Sequence, residues 1–193
     1  MASTPPGQRR LDILQALAQM LEQPKGDRIT TAALARKLAF SEAALYRHFA
    51  SKAQMFEGLI DFIDSTVFGL INQIGERQAD GLAQARDIVG MLLHFAAHNR
   101  GMTRVLIGEA LVNEDDRLQL RMNQFYDRVE LALRQALRLA VADGQAREDD
   151  VAARAAMLAA FVIGRWHRYA KSGFHHLPTQ DAALHIALLI PPV

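Results

Sequence analysis

The sequence predicts an all-α protein of about nine helices, and three observations support that fold class. Half of the 193 residues are apolar, and only 7% are aromatic. Alanine and leucine, which are strong helix formers, dominate the apolar set, whereas β-branched residues are sparse. Apolar residues also recur with helical spacing through most of the chain, and short segments containing Pro, Gly or Asn interrupt the pattern.

The first four helices are predicted from their caps and breaks. Leucines with helical spacing from Leu11 to Leu21 predict the first helix, and Pro24 and Gly26 end it. Thr30 or Thr31 is expected to cap a short helix at about 31–38, and Ser41 a second one at about 42–49. Ser51 is expected to cap a long fourth helix. Further helices are predicted at about 84–98, 102–112, 113–142, 148–171 and 178–190.

These elements divide the chain into three parts. Residues 1–7 are predicted to form a disordered N-terminal arm, residues 8–52 a three-helix head, and residues 53–193 a helical core domain. Residues 1–56 carry eight basic and four acidic residues, whereas residues 57–193 carry 14 basic and 17 acidic ones. A basic head on a slightly acidic body suggests that the head meets a polyanion, although a solvated charged face would look the same.

Several classes of protein are disfavoured. The absence of cysteine excludes disulfides and thiolate chemistry. The N-terminus has no apolar signal segment, and the longest apolar runs, 155–164 and 182–193, are too short to cross a bilayer, so we expect a soluble cytoplasmic protein. We find no nucleophile elbow, phosphate loop or paired acidic site, and we therefore expect neither an enzyme nor a cofactor.

Residues 28–52 carry the pattern of a helix-turn-helix: two short capped helices joined by a tight turn at Ala39-Phe40. Leu34, Leu38 and Leu45 are expected to pack inward and to fix the angle between the helices. The outer face of the second helix would then meet the major groove of DNA, and side chains around it would hold phosphates. The predicted DNA-binding residues are Arg28, Thr30, Thr31, Ser41, Glu42, Ala43, Tyr46, Arg47, His48 and Lys52. An ordinary helical hairpin within a core is the alternative.

The string Leu45-Tyr-Arg-His-Phe-Ala-Ser-Lys52 resembles the signature that ends the helix-turn-helix of the TetR family. Further similar strings, at 28–32, 41–49 and 116–119 among others, narrow the resemblance to the nucleoid occlusion factors of that family. The resemblance implies a TetR-like fold and a homodimer that binds palindromic sites on double-stranded DNA, with one dimer or several on each site. It also implies that the DNA-bound protein inhibits assembly of the tubulin-like division GTPase FtsZ.

The resemblance further implies where partners bind. Phe62 and Asn99 match the partner-binding face, and Met91 and His98 are assigned to it as well. His98 stands where an arginine is usual, and Leu70 stands where a basic residue is usual. The last two long helices would form a four-helix dimer bundle through close-packed small residues. The residues assigned to this interface are Ala156, Ala160, Gly164 and Trp166.

Three local features have more than one interpretation. The turn of the helix-turn-helix usually carries glycine where this chain has Ala39. A positive φ at this position would cost an alanine about 1 kcal/mol, so we expect the turn to shift slightly. Trp166, with Phe161 and Tyr169 on the same helix, packs in a core or interface, or lines the ligand pocket of a small-molecule-responsive repressor. His94 and His98 have a spacing that can hold zinc, but a surface pair is favoured.

Overall fold

The computed structural model describes residues 7–23 and 29–191, and within them the fold is all-α, as predicted, with nine α-helices and no strand. The helices are α1 (Gln8–Leu21), α2 (Thr31–Lys37), α3 (Glu42–Tyr46), α4 (Lys52–Arg77), α5 (Gly81–His98), α6 (Arg100–Leu106), α7 (Asp116–Ala142), α8 (Val151–Lys171) and α9 (Ala182–Leu189). Single 3₁₀ turns at Glu109–Leu111 and Glu148–Asp150 follow α6 and precede α8. In these two segments, no helix is long and apolar enough to cross a membrane.

Several helix boundaries differ from the predicted ones for local reasons. Helix α5 begins at Gly81 because the Asp80 side chain accepts a hydrogen bond from the N–H of Ala83 at 2.7 Å and caps the helix. This bond, together with one from Gln145, holds the pKa of Asp80 below its ordinary value. Helix α6 stops before the predicted end because the chain turns at Gly108, where φ is 75°. Helices α3 and α9 are likewise shorter than predicted.

The head packs α1, α2 and α3 around side chains that are fully buried, namely Ile13, Leu17, Leu34, Leu45 and Phe49. Burying each such side chain contributes about 1.5–3 kcal/mol relative to leaving it exposed. Leu34 and Leu45 therefore pack inward as predicted, while Leu38 is half-buried at the edge of the same cluster.

Helix α4 leaves the head and packs lengthwise against α7 in the body. Its apolar face, which includes Leu59, Ile63 and Val67, lies in the core. On the outside, four ion pairs join the two segments: Lys52 with Glu114, Glu57 with Arg117, Asp61 with Arg121, and Asp64 with Arg128. Ion pairs at a protein surface contribute only about 0–1 kcal/mol each, so the buried apolar face of α4 supplies most of the stabilisation between α4 and the body.

Two glycines bring helix backbones into close contact. A Cβ added to Gly101 in α6 would lie 1.8 Å from the carbonyl oxygen of Ala18 in α1. A Cβ added to Gly81 in α5 would lie 2.3 Å from the backbone nitrogen of Ala140 in α7. Gly101 therefore sets the distance at which α1 of the head meets the body.

The turn between α2 and α3 keeps the geometry that normally calls for glycine. Ala39 has a φ of 54°, and its N–H donates to the carbonyl of Arg36 at 3.2 Å. The N–H of Phe40 donates to the carbonyl of Ala35 at 2.9 Å, which completes a Schellman motif at the end of α2. The expectation that the turn would shift is wrong, because two hydrogen bonds hold Ala39 in the left-handed conformation despite its Cβ.

Substituting Ala39→Gly should stabilise the protein, because glycine adopts this conformation without the steric penalty of about 1 kcal/mol. We expect the Tm to rise by about 2–4 °C in a thermal unfolding experiment. The matched control is Ala32→Gly, an exposed alanine inside α2, which should lower the Tm. A fall in Tm for Ala39→Gly would show that the alanine is not strained.

Candidate DNA-binding and partner-binding surfaces

Three hydroxyl residues begin the helices that surround the predicted DNA-binding surface. Thr30, Ser41 and Ser51 each accept a hydrogen bond from the N–H three residues further on, at 3.1, 3.2 and 3.1 Å. These caps explain why α2, α3 and α4 start where they do. Because each oxygen accepts the bond, each hydroxyl proton stays available to donate to a phosphate oxygen.

The outer face of α3 presents Glu42, Ala43, Tyr46 and Arg47 to solvent, and Tyr46 is 44% exposed. The Thr31 hydroxyl donates to the Glu42 carboxylate at 2.7 Å, and the Tyr46 hydroxyl lies 3.5 Å from the Thr31 oxygen. This chain of polar contacts joins α2 to α3 and restricts the Tyr46 ring. Ala43 leaves a shallow spot between the longer side chains, where the helix can approach a groove closely.

Lys52 is already engaged in this structure. Its ammonium group pairs with Glu114, and the two side chains are only 23% and 15% exposed. It also lies 5.7 Å from the centre of the Phe56 ring. A phosphate would therefore have to share Lys52 with Glu114 or replace that partner. Of the other predicted contacts, His48 is half-buried just beyond the end of α3, and Arg28 lies outside the described residues.

The predicted partner residues lie at two places. Phe62 is half-buried on α4 and lines a shallow groove against α1, whose other lining residues include Arg10, Leu11 and Asp61. The sequence did not predict that α1 contributes to this groove. Leu11, a leucine of α1 that is 40% exposed, was the one residue that could have indicated it.

The other three predicted partner residues lie at the C-terminal half of α5 and just beyond it. Met91 is half-buried, and the Asn99 side chain donates to the carbonyl of Phe95 at 2.7 Å. His98 is exposed; its Nδ1 lies 2.8 Å from the carbonyl of His94, and the two rings stack with centroids 6.2 Å apart. In the described segments, no group of three or more His, Asp or Glu residues is arranged to hold a metal ion.

Helices α8 and α9 each expose small or apolar side chains. Ala156, Ala160 and Gly164 follow one another at four-residue spacing on the outer face of α8, as an interface of small residues requires. Leu184 and Leu188 of α9 are 61% and 71% exposed. Isolated apolar residues on a surface are ordinary, but a group of this kind on two adjacent helices indicates an interaction surface.

Trp166 does not belong to this surface, so its assignment to the dimer interface is wrong. The side chain is 1% exposed, and its Nε1 donates to the carbonyl of Leu92 at 3.0 Å. Tyr169 is buried beside it and donates to the carbonyl of Ala97 at 3.2 Å. These two residues join α8 to α5, and both side chains are covered by protein rather than facing an open pocket.

The three-helix head, the long connecting helix and the helical body together define a class of bacterial DNA-binding regulators. The family described as "Bacterial regulatory proteins, tetR family" matches residues 13–59. The domain described as "Tetracyclin repressor-like, C-terminal domain", SlmA-like, matches residues 79–191. The fold is also similar to that of a TetR transcription regulator from Haloarcula marismortui, with a TM-score of 0.81 and 15% identity over 95% of this chain and 96% of that one. The chain belongs to the TetR family.

Two relatives specify the group within that family. The chain is 47% identical to the nucleoid occlusion factor SlmA of Alteromonas mediterranea over 90% of its own length and 89% of the relative's. It is also 47% identical to SlmA of Vibrio cholerae, over 94% and 93% of the two chains. The chain therefore belongs to the SlmA group of TetR-family proteins.

Proposed function

We propose that this chain is a nucleoid occlusion factor that binds palindromic double-stranded DNA as a homodimer and, when DNA-bound, inhibits FtsZ assembly. It would thereby block septum formation over the chromosome, working in the cytoplasm at the nucleoid. The observation that carries the proposal is the 47% identity to SlmA proteins over about nine-tenths of the chain. The packed surroundings of Trp166 do not favour the alternative of a repressor released by a small molecule.

DNA recognition is proposed to use the exposed face of α3. Arg47 is a donor suited to guanine in the major groove, and Ala43 permits close approach to base edges. The hydroxyls of Thr30 and Ser41 would bind phosphates from the caps of their helices. The apolar face of α8 and α9 would pair with its copy in a second subunit and place two α3 helices on the two halves of a palindrome.

The partner-binding face is proposed to include Phe62, Met91, His98 and Asn99. Leu70 and His98 give this face fewer permanent positive charges than the family pattern implies. We therefore expect apolar contacts, rather than long-range attraction, to dominate FtsZ binding. The DNA-binding head and this face share α4, which is joined to the body by four ion pairs and is therefore a route for coupling between the two.

Replacing Tyr46 and Lys52 together, as Tyr46→Phe with Lys52→Gln, should weaken DNA binding about 10- to 100-fold and reduce the salt dependence by about one charge. The measurement is fluorescence anisotropy at several salt concentrations, with a duplex selected from random sequence. The control is Arg77→Gln, which removes a charge at the far end of α4. An unchanged affinity and salt slope would contradict the proposed placement of these two residues.

Coupling between the two partners is tested by titrating labelled FtsZ into the protein with and without the selected duplex. Tighter FtsZ binding in the presence of DNA is the expected result, and the duplex must then bind tighter by the same factor when FtsZ is present. Equal FtsZ affinities with and without DNA would contradict activation by DNA.

A further inference from the structure

The first turn of α1 holds two adjacent arginines that contact the residues flanking α3 on either side. The Nη1 of Arg10 donates to the carbonyl of His48 at 2.6 Å, and its guanidinium lies 4.2 Å from the centre of the Phe49 ring. The guanidinium of Arg9 lies 5.3 Å from the centre of the Phe40 ring. Phe40 comes just before the cap of α3, and Phe49 follows three residues after its end.

Both aromatic residues are anchored in the head, Phe49 by its ring and Phe40 by its backbone. Phe49 is almost completely buried, and it packs against Gly58 of α4 so closely that a Cβ there would lie 2.9 Å from the Phe49 ring. Phe40 is the residue whose N–H completes the Schellman motif of the turn. The guanidinium over each ring therefore links α1 to the segment just before α3 and to the segment just after it.

The position of these arginines conflicts with the electrostatics of their own helix. Positive charges in a first helical turn are disfavoured by the helix dipole, by about 0.3–1 kcal/mol each, and the first turn of α1 contains no acidic residue to offset them. At the other end of the contact, however, the bond to the carbonyl of His48 is favourable, because a charged donor meets a backbone acceptor just beyond the end of α3. Residues that break a local rule in this way are frequent at functional sites.

We propose that Arg9 and Arg10 are positioning residues that set the orientation of α3 against the major groove and thereby determine the sequence specificity of DNA binding. The inference rests on the proposed role of α3 in DNA recognition. Base contacts depend on the orientation of α3, whereas phosphate contacts by flexible side chains depend on it much less. Disturbing the contacts of Arg9 and Arg10 should therefore lower the affinity for the selected site and leave non-specific binding intact.

The substitution Arg10→Lys separates positioning from simple attraction to phosphate. Lysine keeps the positive charge but lacks the planar group that stacks on Phe49 and holds a fixed hydrogen-bond geometry. The affinity of Arg10→Lys is measured for the selected duplex and for a scrambled duplex of equal length, at several salt concentrations. We expect about a tenfold loss on the selected duplex, no change on the scrambled one, and the salt slope of the wild type. The control is Arg138→Lys on the exposed face of α7, which should change neither affinity.

Other results would overturn the inference in distinguishable ways. If Arg10 instead contacts a phosphate, Arg10→Lys should keep the wild-type preference for the selected duplex. Arg10→Gln should then bind both duplexes with a salt dependence that corresponds to about one charge fewer. A merely structural role would lower the Tm and reduce binding to both duplexes together. If the wild type showed no preference for the selected duplex, the proposed function of α3 would fail. The inference about Arg9 and Arg10 would then fail as well.

Discussion

A glutamate in place of Ala160 should convert the protein into a monomer and lower its affinity for palindromic DNA about 100-fold or more. Ala160 lies between Ala156 and Gly164 on the exposed face of α8, where two copies of the helix are proposed to pack closely. In a two-fold interface, one substitution places two charges against the same apolar surface. A monomer engages only one half-site and loses the avidity of the second, which is worth about 10²–10⁴ in affinity.

The measurement for Ala160→Glu combines sedimentation equilibrium with titration of the palindromic duplex. The matched control is Ala142→Glu, which introduces the same charge at an exposed alanine in the last turn of α7 and should leave the protein dimeric. Because Ala160 is exposed in the protomer, the thermal stability of the isolated monomer should change little. A variant that stays dimeric at micromolar concentration would refute the assignment of this face to the interface.

Gly101→Ala is expected to destabilise the protein by about 3 kcal/mol, at the upper end of what overpacking usually costs. The new Cβ would lie 1.8 Å from the carbonyl oxygen of Ala18, a backbone atom that cannot rotate away. Helix α1 must therefore separate from α6, and the head must move relative to the body. The Tm should fall by about 6–12 °C in a calorimetric scan.

The control for Gly101→Ala is Gly69→Ala in α4. A Cβ at Gly69 meets no atom within 4 Å, so alanine should stabilise the helix by up to about 1 kcal/mol. If both variants shifted the Tm in the same direction, the close contact of α1 with α6 would not be the reason for the glycine at position 101.

Features determined by neighbouring residues were predictable from the sequence. Thr30 or Thr31, together with Ser41 and Ser51, were expected to cap helices, and Thr30, Ser41 and Ser51 accept the hydrogen bonds that define the caps. The all-α class likewise followed from composition and spacing. Features determined by contacts between distant segments were not predictable: Trp166 is typical of an interface by residue type, but its hydrogen bond to Leu92, 74 positions away, places it in the core.

The candidate site shows the same division. Ala39 was expected to shift the turn, because alanine disfavours a positive φ. The two hydrogen bonds that hold it in that conformation could not be read from the sequence. Lys52 was assigned to phosphate without its partner Glu114, which lies 62 residues further along the chain. Arg9 and Arg10 contributed only to a count of charges, since nothing in the local pattern indicates that they reach Phe40 and Phe49.

Sedimentation of FtsZ polymers tests the proposed function most directly. FtsZ is polymerised with GTP and pelleted in the presence of the protein alone, of the protein with the selected duplex, and of the protein with the scrambled duplex. The prediction is that the amount of pelleted FtsZ falls only with the selected duplex, and that the Tyr46→Phe, Lys52→Gln double variant loses this effect at matched duplex concentration. An unchanged FtsZ pellet, at a concentration where the selected duplex is fully bound by the protein, would contradict the proposal.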